Sequence, residues 1–179
     1  MRVDWTVRQW FEAALDRQLA EVSEEPAADV RDIELSSFQQ RAFHRGLDIA
    51  LRYGGGVLAD ALGVDKTRVG LAVTRALVRD KRKDRRAGEG IWCCTPARLR
   101  EQWERALSDA NVADARLVSH TDLSRDSHPK DIRPLVVLVD EAHRFRNPSS
   151  NRAEALAELA SESTVVMLTA TPVCNSTWD

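Results

Sequence analysis

The sequence lacks features that define several common classes of protein. It has three cysteines, of which Cys93 and Cys94 are adjacent, and no Cys-x-x-Cys pair. Neither a disulfide framework nor a structural zinc site is therefore expected, and we expect a reduced, cytoplasmic protein. The longest apolar run, Leu135 to Val139, is far shorter than the roughly 20 residues of a membrane-spanning helix. The N-terminus shows no signal-peptide pattern, because charged and polar residues interrupt its apolar ones.

An excess of positive charge is also absent. The formal net charge is -2, so any binding of nucleic acid must use a local basic patch. The densest basic run, Lys81 to Arg86, follows a predicted helix and precedes a predicted strand. In a parallel sheet this places it at the edge opposite the ligand site. A solvated loop is therefore favoured over a nucleic-acid contact.

The most informative stretch runs from Leu135 to His143. Five apolar residues without polar alternation predict a strand that is buried on both faces, as in a parallel sheet covered by helices. Asp140 and Glu141 follow at its carboxyl end, where open α/β sheets bind their ligands. One carboxylate at such a position can hold Mg²⁺ and the next can polarise an attacking water. A solvated acidic turn after a buried strand is the alternative.

The remaining pattern alternates strands and helices. The sequence predicts further strands around residues 57–59, 91–94, 116–120 and 164–168, with amphipathic helices between them. This order predicts an α/β fold with a parallel sheet and helices on both faces. An amphipathic helix from Thr6 to Val22 and an acidic linker precede it, so residues 1–32 are assigned to an N-terminal segment and residues 33–179 to one domain. The helix is expected to pack on this domain or on a partner.

A second candidate site lies after the strand at residues 57–59. There a glycine-containing loop leads to Lys66 and Thr67 at the start of a helix. This is the context of a phosphate-binding loop, in which backbone N–H groups and the helix N-terminus bind anionic oxygens. In such loops the lysine reaches the terminal phosphates and the threonine hydroxyl binds Mg²⁺.

Five segments together resemble the first RecA-like lobe of superfamily 2 helicases and Swi/Snf-type DNA translocases, most of all the bacterial Swi/Snf-related helicases. The resemblance runs from about residue 33 to the end. The segments, in the order of the family, are Phe38-Gln39 (Gln motif), Ala59 to Thr67 (motif I), Thr95 to Leu99 with Gln102-Trp103 (motif Ia), Asp140-Glu141-Ala142-His143 (motif II, DEAH form) and Leu168 to Pro172 (motif III).

The resemblance implies a RecA-like P-loop domain that binds Mg²⁺-ATP and nucleic acid, DNA rather than RNA. It implies these nucleotide-binding residues: Gln39 for adenine, Gly63, Val64, Asp65 and Lys66 for phosphate, Thr67 and Asp140 for Mg²⁺, and Glu141 to activate water. Lys66, Asp140 and Glu141 form the implied catalytic set. Residues implied to contact nucleic acid or to couple it to the nucleotide are Thr95, Pro96, Arg98, His143, Thr169 and Thr171. Outside DEAH, a satisfied surface position explains His44, His120 and His128, and Cys93 and Cys94 are expected in the core.

The sequence departs from the family at two points. Asp65 stands where the family has Gly immediately before the motif I lysine, and it adds a side chain and a negative charge beside a triphosphate. We therefore expect nucleotide binding to be weakened or lost. The second RecA-like lobe with its arginine finger is not in the sequence, so the lobe would act with a second lobe in cis or in trans and would be inactive as a motor alone. The end of the sequence just after motif III favours a fragment of a longer motor over a truncated product.

Two other functions remain open. The first is a degenerate lobe that no longer hydrolyses ATP and acts as a binding or scaffold module, which Asp65 favours. The second is a P-loop ATPase that is not a nucleic-acid motor, against which the Gln motif and motif Ia argue. No membrane association is expected.

Overall fold

The structure, a computed structural model, describes residues 33–59, 65–83, 89–112, 114–129 and 132–170. The predicted N-terminal helix and acidic linker lie outside these residues, as do Gly63, Val64 and Thr171.

In the part of the chain that the structure describes, five parallel strands form one sheet. Their bounds are Gly55–Ala59 (β1), Glu89–Thr95 (β2), Ala115–Ser119 (β3), Pro134–Val139 (β4) and Thr164–Thr169 (β5). Their order across the sheet is β1-β5-β4-β2-β3. All six residues of β4 and all six of β5 are buried, which agrees with their unbroken apolar sequences.

The described residues contain five α-helices, which connect the strands or precede them. They are Ser37–Tyr53 (α1), Lys66–Lys83 (α2), Arg100–Asp109 (α3), His120–Ser124 (α4) and Asn151–Ala160 (α5). Single 3₁₀ turns at Ala97–Leu99 and Ala142–Phe145 follow β2 and β4. Among the described residues, no helix combines the length and the apolar character needed to cross a membrane.

The core consists of two layers, one on each face of the sheet. Alternate residues of β4 divide between them: Val136 and Leu138 pack with α1, α2 and α3, whereas Val137 and Val139 pack with α4 and α5. A parallel sheet with helices on both faces is the predicted fold class, which is confirmed.

The first helix shows how local sequence sets its ends. The Ser36 hydroxyl accepts a hydrogen bond from the Gln39 N–H, and the Gln39 side chain accepts one from the Ser36 N–H at 2.9 Å, which together form a capping box. Gly54 ends the helix with φ 73°, a conformation that favours glycine. Gly56 belongs to β1 rather than to a helix-breaking loop, and an added Cβ there would lie 3.1 Å from a methyl of Ile49.

Of three further predictions from the sequence, the structure confirms one, contradicts one and corrects part of the third. Cys93 and Cys94 are fully buried in β2, as predicted. The surface position assumed for His120 and His128 is wrong, since both rings are buried and pack edge-on against Phe145 and Trp92 respectively. The basic run is not wholly a loop, because its first three residues complete α2.

Candidate active site

The parallel register brings the predicted motifs to one edge of the sheet. At the carboxyl ends of the strands, Ala59 of β1 pairs with Thr169 of β5, and Cys94 of β2 pairs with Val139 of β4. Along this edge the strand order places motif I, motif III, motif II and motif Ia side by side. The described parts of these motifs, which are distant in the sequence, therefore lie next to one another along one edge of the sheet.

Asp140 is the most constrained carboxylate at this edge. Its Oδ2 accepts a hydrogen bond from the indole Nε1–H of Trp103 at 2.9 Å, and its Oδ1 accepts one from the Glu141 N–H at 2.8 Å. Its own N–H donates to the Cys94 carbonyl at 2.9 Å, which ties the residue to β2. Burial raises the pKa of Asp140, whereas these two donors and the charge of Lys66 act in the opposite direction.

Glu141 adopts a left-handed backbone conformation, with φ 49° and ψ 47°. A residue with a Cβ is uncommon there and is strained by roughly 1–2 kcal/mol. This geometry redirects the chain from β4 into the 3₁₀ turn at Ala142–Phe145. Strain of this kind persists where the surrounding structure holds it, often at a functional site.

His143 connects motif II to motif III. Its Nδ1 lies 3.3 Å from Glu141 Oε2 and 3.4 Å from the hydroxyl of Thr169, which is buried at the end of β5. A protonated Nδ1 can donate to the carboxylate, and an unprotonated Nδ1 can accept from the hydroxyl. The three predicted residues are therefore in one polar contact network.

The N-terminus of α2 holds Lys66, Thr67 and Asp65. The Asp65 side chain accepts from the Arg68 N–H at 3.3 Å, and its carbonyl accepts from the Val69 N–H at 3.4 Å, so Asp65 caps the helix. Its carboxylate also lies 3.6 Å from the Arg68 guanidinium. An anionic group of the chain thus occupies one donor at the helix end where a phosphate-binding loop would bind phosphate.

A cleft of about 770 Å³ opens beside this helix end. Asp65, Thr67 and Arg68 line one part of it, and Arg98 and Gln102 from the motif Ia segment line another. Its size falls in the range of small-molecule sites. Motif I and motif Ia therefore share one opening on the surface.

Gln39 and the motif Ia residues differ in how far their polar groups are available to a ligand. Gln39 uses its side-chain oxygen in the capping box of α1, which leaves its amide N–H₂ for another partner. Thr95 and Pro96 are buried, whereas Arg98 is exposed. Of this segment, only Arg98 presents a charged group to solvent that could contact a nucleic-acid phosphate.

The residues fit a magnesium-bound nucleotide better than a metal centre of the protein alone. The described parts of the chain contain no cluster of three or more His, Cys, Asp or Glu side chains able to hold a metal ion. Mg²⁺ usually takes one or two protein ligands together with phosphate oxygens and waters. Each Asp140 oxygen has one protein donor and keeps lone-pair capacity, so Asp140 and the Thr67 hydroxyl suit that role. Asp65 is the residue that does not suit a phosphate.

Sequence reasoning missed the bond between Trp103 and Asp140. The sequence places Trp103 in motif Ia but does not indicate its partner. A buried indole N–H generally finds an acceptor, and that rule was the available signal. The partner is 37 residues away in the chain, so only the packing of α3 on the sheet reveals it.

Comparisons with known proteins agree with this geometry. Residues 117–179 match the model of the SNF2-related domain family. Among solved structures, the chain is similar to the Sulfolobus solfataricus SWI2/SNF2 ATPase core in complex with dsDNA, with 24% identity and a TM-score of 0.65. The predicted resemblance to the Swi/Snf family is confirmed over residues 117–179, and the likeness to the solved core shows a shared fold. The match covers 88% of this chain and 36% of that one. A comparison with curated proteins finds no match.

The family match includes the end of β3 and all of β4 and β5, with motifs II and III, which carry the Glu141–His143–Thr169 network. Motif I lies outside the matched residues. The family match therefore covers motifs II and III. The departure from the family at Asp65 lies outside the matched residues.

Proposed function

We propose that this chain is the first, ATP-binding lobe of a nucleic-acid-dependent ATPase of the Swi/Snf type. The observation that carries the proposal is the network joining Glu141 of motif II to Thr169 of motif III through His143. In a nucleotide-driven motor, a change at the attacking water must reach the nucleic-acid face, and this network links the two motifs by direct contacts. A solvated acidic turn would not require a buried hydroxyl from a neighbouring strand.

Each residue has a defined task in this proposal. Bound Mg²⁺ would neutralise charge on the transferred phosphate, with Asp140 and Thr67 as its protein ligands. Lys66 would bind the terminal phosphates, and Glu141 would orient and polarise the attacking water. The left-handed backbone of Glu141 supports this role, because strain of this kind is often retained at functional sites.

Nucleic acid is the proposed macromolecular partner, and duplex DNA is the form we favour. The similar solved core was determined in complex with dsDNA. Arg98, exposed at the same sheet edge, supplies a candidate phosphate contact. A second RecA-like lobe, in cis or in trans, would complete the ATP site, so the chain alone would hydrolyse ATP weakly or not at all.

The test is binding of a fluorescent ATP analogue in the presence of Mg²⁺. We expect binding by the wild-type chain to be lost in Lys66→Ala and kept in Lys81→Ala, which removes a lysine from the opposite end of the same helix. Duplex DNA titrated into the same samples would test the second ligand, with Arg98→Ala expected to weaken its binding. Equal nucleotide binding by both lysine variants would contradict the proposal.

A second function has one specific observation in its favour. Asp65 caps α2 with its own carboxylate, which is the arrangement of a lobe that has given up phosphate binding. Such a lobe would act as a binding or scaffold module. Absence of nucleotide binding by the wild-type chain, together with retained DNA binding, would favour this second function.

A further inference from the structure

The indole of Trp103 holds a carboxylate that the proposed function places at the metal. Trp103 is 1% exposed and lies on the inner face of α3. Its Nε1–H donates to Asp140 Oδ2 at 2.9 Å, a good length for a hydrogen bond to an ionised acceptor. The bond joins motif Ia to motif II inside the protein.

The geometry fixes the Asp140 carboxylate at both oxygens. Oδ2 is held by the Trp103 indole and Oδ1 by the Glu141 N–H, so rotation of the carboxylate would break one bond or the other. The backbone is fixed as well, because the Asp140 N–H donates to the Cys94 carbonyl of β2. The remaining lone pairs therefore keep one direction without help from a bound metal.

A tryptophan suits this task for two chemical reasons. The indole N–H is a donor only, so it bonds to a carboxylate oxygen without competing for a metal. The ring is large and rigid, and its burial in the core leaves the N–H no other orientation. A phenylalanine at the same position would fill most of the space but would leave Oδ2 without its donor.

We propose that Trp103 is a positioning residue that orients the Asp140 carboxylate for Mg²⁺. This inference rests on the proposed function, since it requires Asp140 to be a Mg²⁺ ligand. It adds a role for a residue that touches neither metal nor nucleotide, and it makes the packing of α3 a determinant of metal affinity. Outer partners that orient metal ligands commonly change metal affinity by about 10–100-fold when they are removed.

The experiment compares two fully buried tryptophans on opposite faces of the sheet. Trp103→Phe removes the donor to Asp140, whereas Trp92→Phe removes a similar side chain from the other core layer. Binding of a fluorescent ATP analogue is measured as Mg²⁺ is titrated, with folding checked by circular dichroism. We expect Trp103→Phe to raise the half-saturating Mg²⁺ concentration about tenfold and Trp92→Phe to leave it unchanged. Binding without Mg²⁺ should be the same in both.

The outcomes separate the two proposals. An unchanged Mg²⁺ requirement in Trp103→Phe, with wild-type binding intact, overturns the positioning role and leaves the proposed function standing. No Mg²⁺-dependent binding by the wild-type chain overturns both. Equal shifts in the two variants show a general loss of core packing and overturn the positioning role.

A second measurement avoids dependence on a folded Trp103→Phe protein. The five tryptophans give separate indole N–H resonances after ¹⁵N labelling, and Asp140→Asn identifies the Trp103 signal by its shift. Mg²⁺ with the ATP analogue should move this signal and leave that of Trp92 in place. A Trp103 signal that stays fixed while nucleotide binds would overturn the inference.

Discussion

Removal of the negative charge at Asp65 should strengthen nucleotide binding at little cost to stability. The Asp65 carboxylate caps α2 and lies 3.6 Å from the Arg68 guanidinium, with its side chain 52% exposed. Asn is an equally good N-cap and Gly is only a few tenths of a kcal/mol worse. The exposed ion pair with Arg68 contributes about 0–1 kcal/mol. Both Asp65→Asn and Asp65→Gly should therefore stay within about 1 kcal/mol of the wild type in free energy of unfolding.

The effect on affinity is larger because it is electrostatic. One carboxylate charge about 5 Å from one phosphate charge, in a dielectric close to that of water, opposes binding by about 1 kcal/mol, and a triphosphate carries several charges. A gain of about tenfold in affinity, equal to about 1.4 kcal/mol, is the expected result. The gain should shrink as salt is raised, because the Debye length is only about 10 Å at 0.1 M.

Fluorescence titration of an ATP analogue with Mg²⁺ measures this gain. Wild type, Asp65→Asn, Asp65→Gly and Lys66→Ala are compared with Asp80→Asn, which removes the same charge near the other end of α2. If the two Asp65 variants bind no tighter than the wild type, the carboxylate does not oppose the phosphates. If Asp80→Asn gains as much, the effect is one of net charge and the local argument fails.

Three further predictions concern stability. An added Cβ at Gly70 would lie 2.9 Å from Leu168 Cδ2, so Gly70→Ala should lower the free energy of unfolding in urea by about 1–3 kcal/mol, and no loss would contradict the tight packing of α2 on β5. Glu141→Gly should relieve left-handed strain and raise the melting temperature relative to Glu141→Ala, while removing any ATP hydrolysis; equal melting temperatures would argue against the strain. Burial lowers the pKa of His120 from 6.5 to about 4, so the wild type should lose up to about 3 kcal/mol of stability as pH falls from 6.5 to 4, and His120→Phe should flatten that loss in pH-dependent urea melts.

The sign of the His120 prediction follows from the direction of its shift. A folded-state pKa below the unfolded value means that the unfolded chain binds the proton more readily. The stabilising contribution is therefore complete above pH 6.5 and disappears as pH falls towards 4. Burial is the largest cause of this shift, and the nearby backbone of Cys94 and Asp140 opposes it without reversing it.

The sheet and its helices were predictable because their signals are local. The unbroken apolar run at Leu135 to Val139 gave β4 its burial on both faces, and alternate residues then face the two core layers. The capping box of α1 is also local, because Gln39 lies three residues after Ser36.

The parts of the site that were not predictable depend on contacts between distant segments. The Trp103–Asp140 bond requires α3 to lie against the end of β4, and sequence spacing carries no such distance. The burial of His120 follows from the 3₁₀ turn that brings Phe145 against its ring. The capping role of Asp65 has a local signal, because Asp before a helix is a common N-cap.

The position of β1 in the sheet has a consequence for how the chain folds during synthesis. Among the described strands, β1 pairs with β5 alone, so Gly55 must pair with Val165, which is made much later in synthesis. Contacts of such long sequence separation slow folding and leave unpaired strand edges exposed. During synthesis, β2, β3 and β4 can pair with one another before β5 is made, whereas β1 has no strand to pair with until then. The phosphate-loop side of the candidate site can therefore join the DEAH side only after β5 has been made.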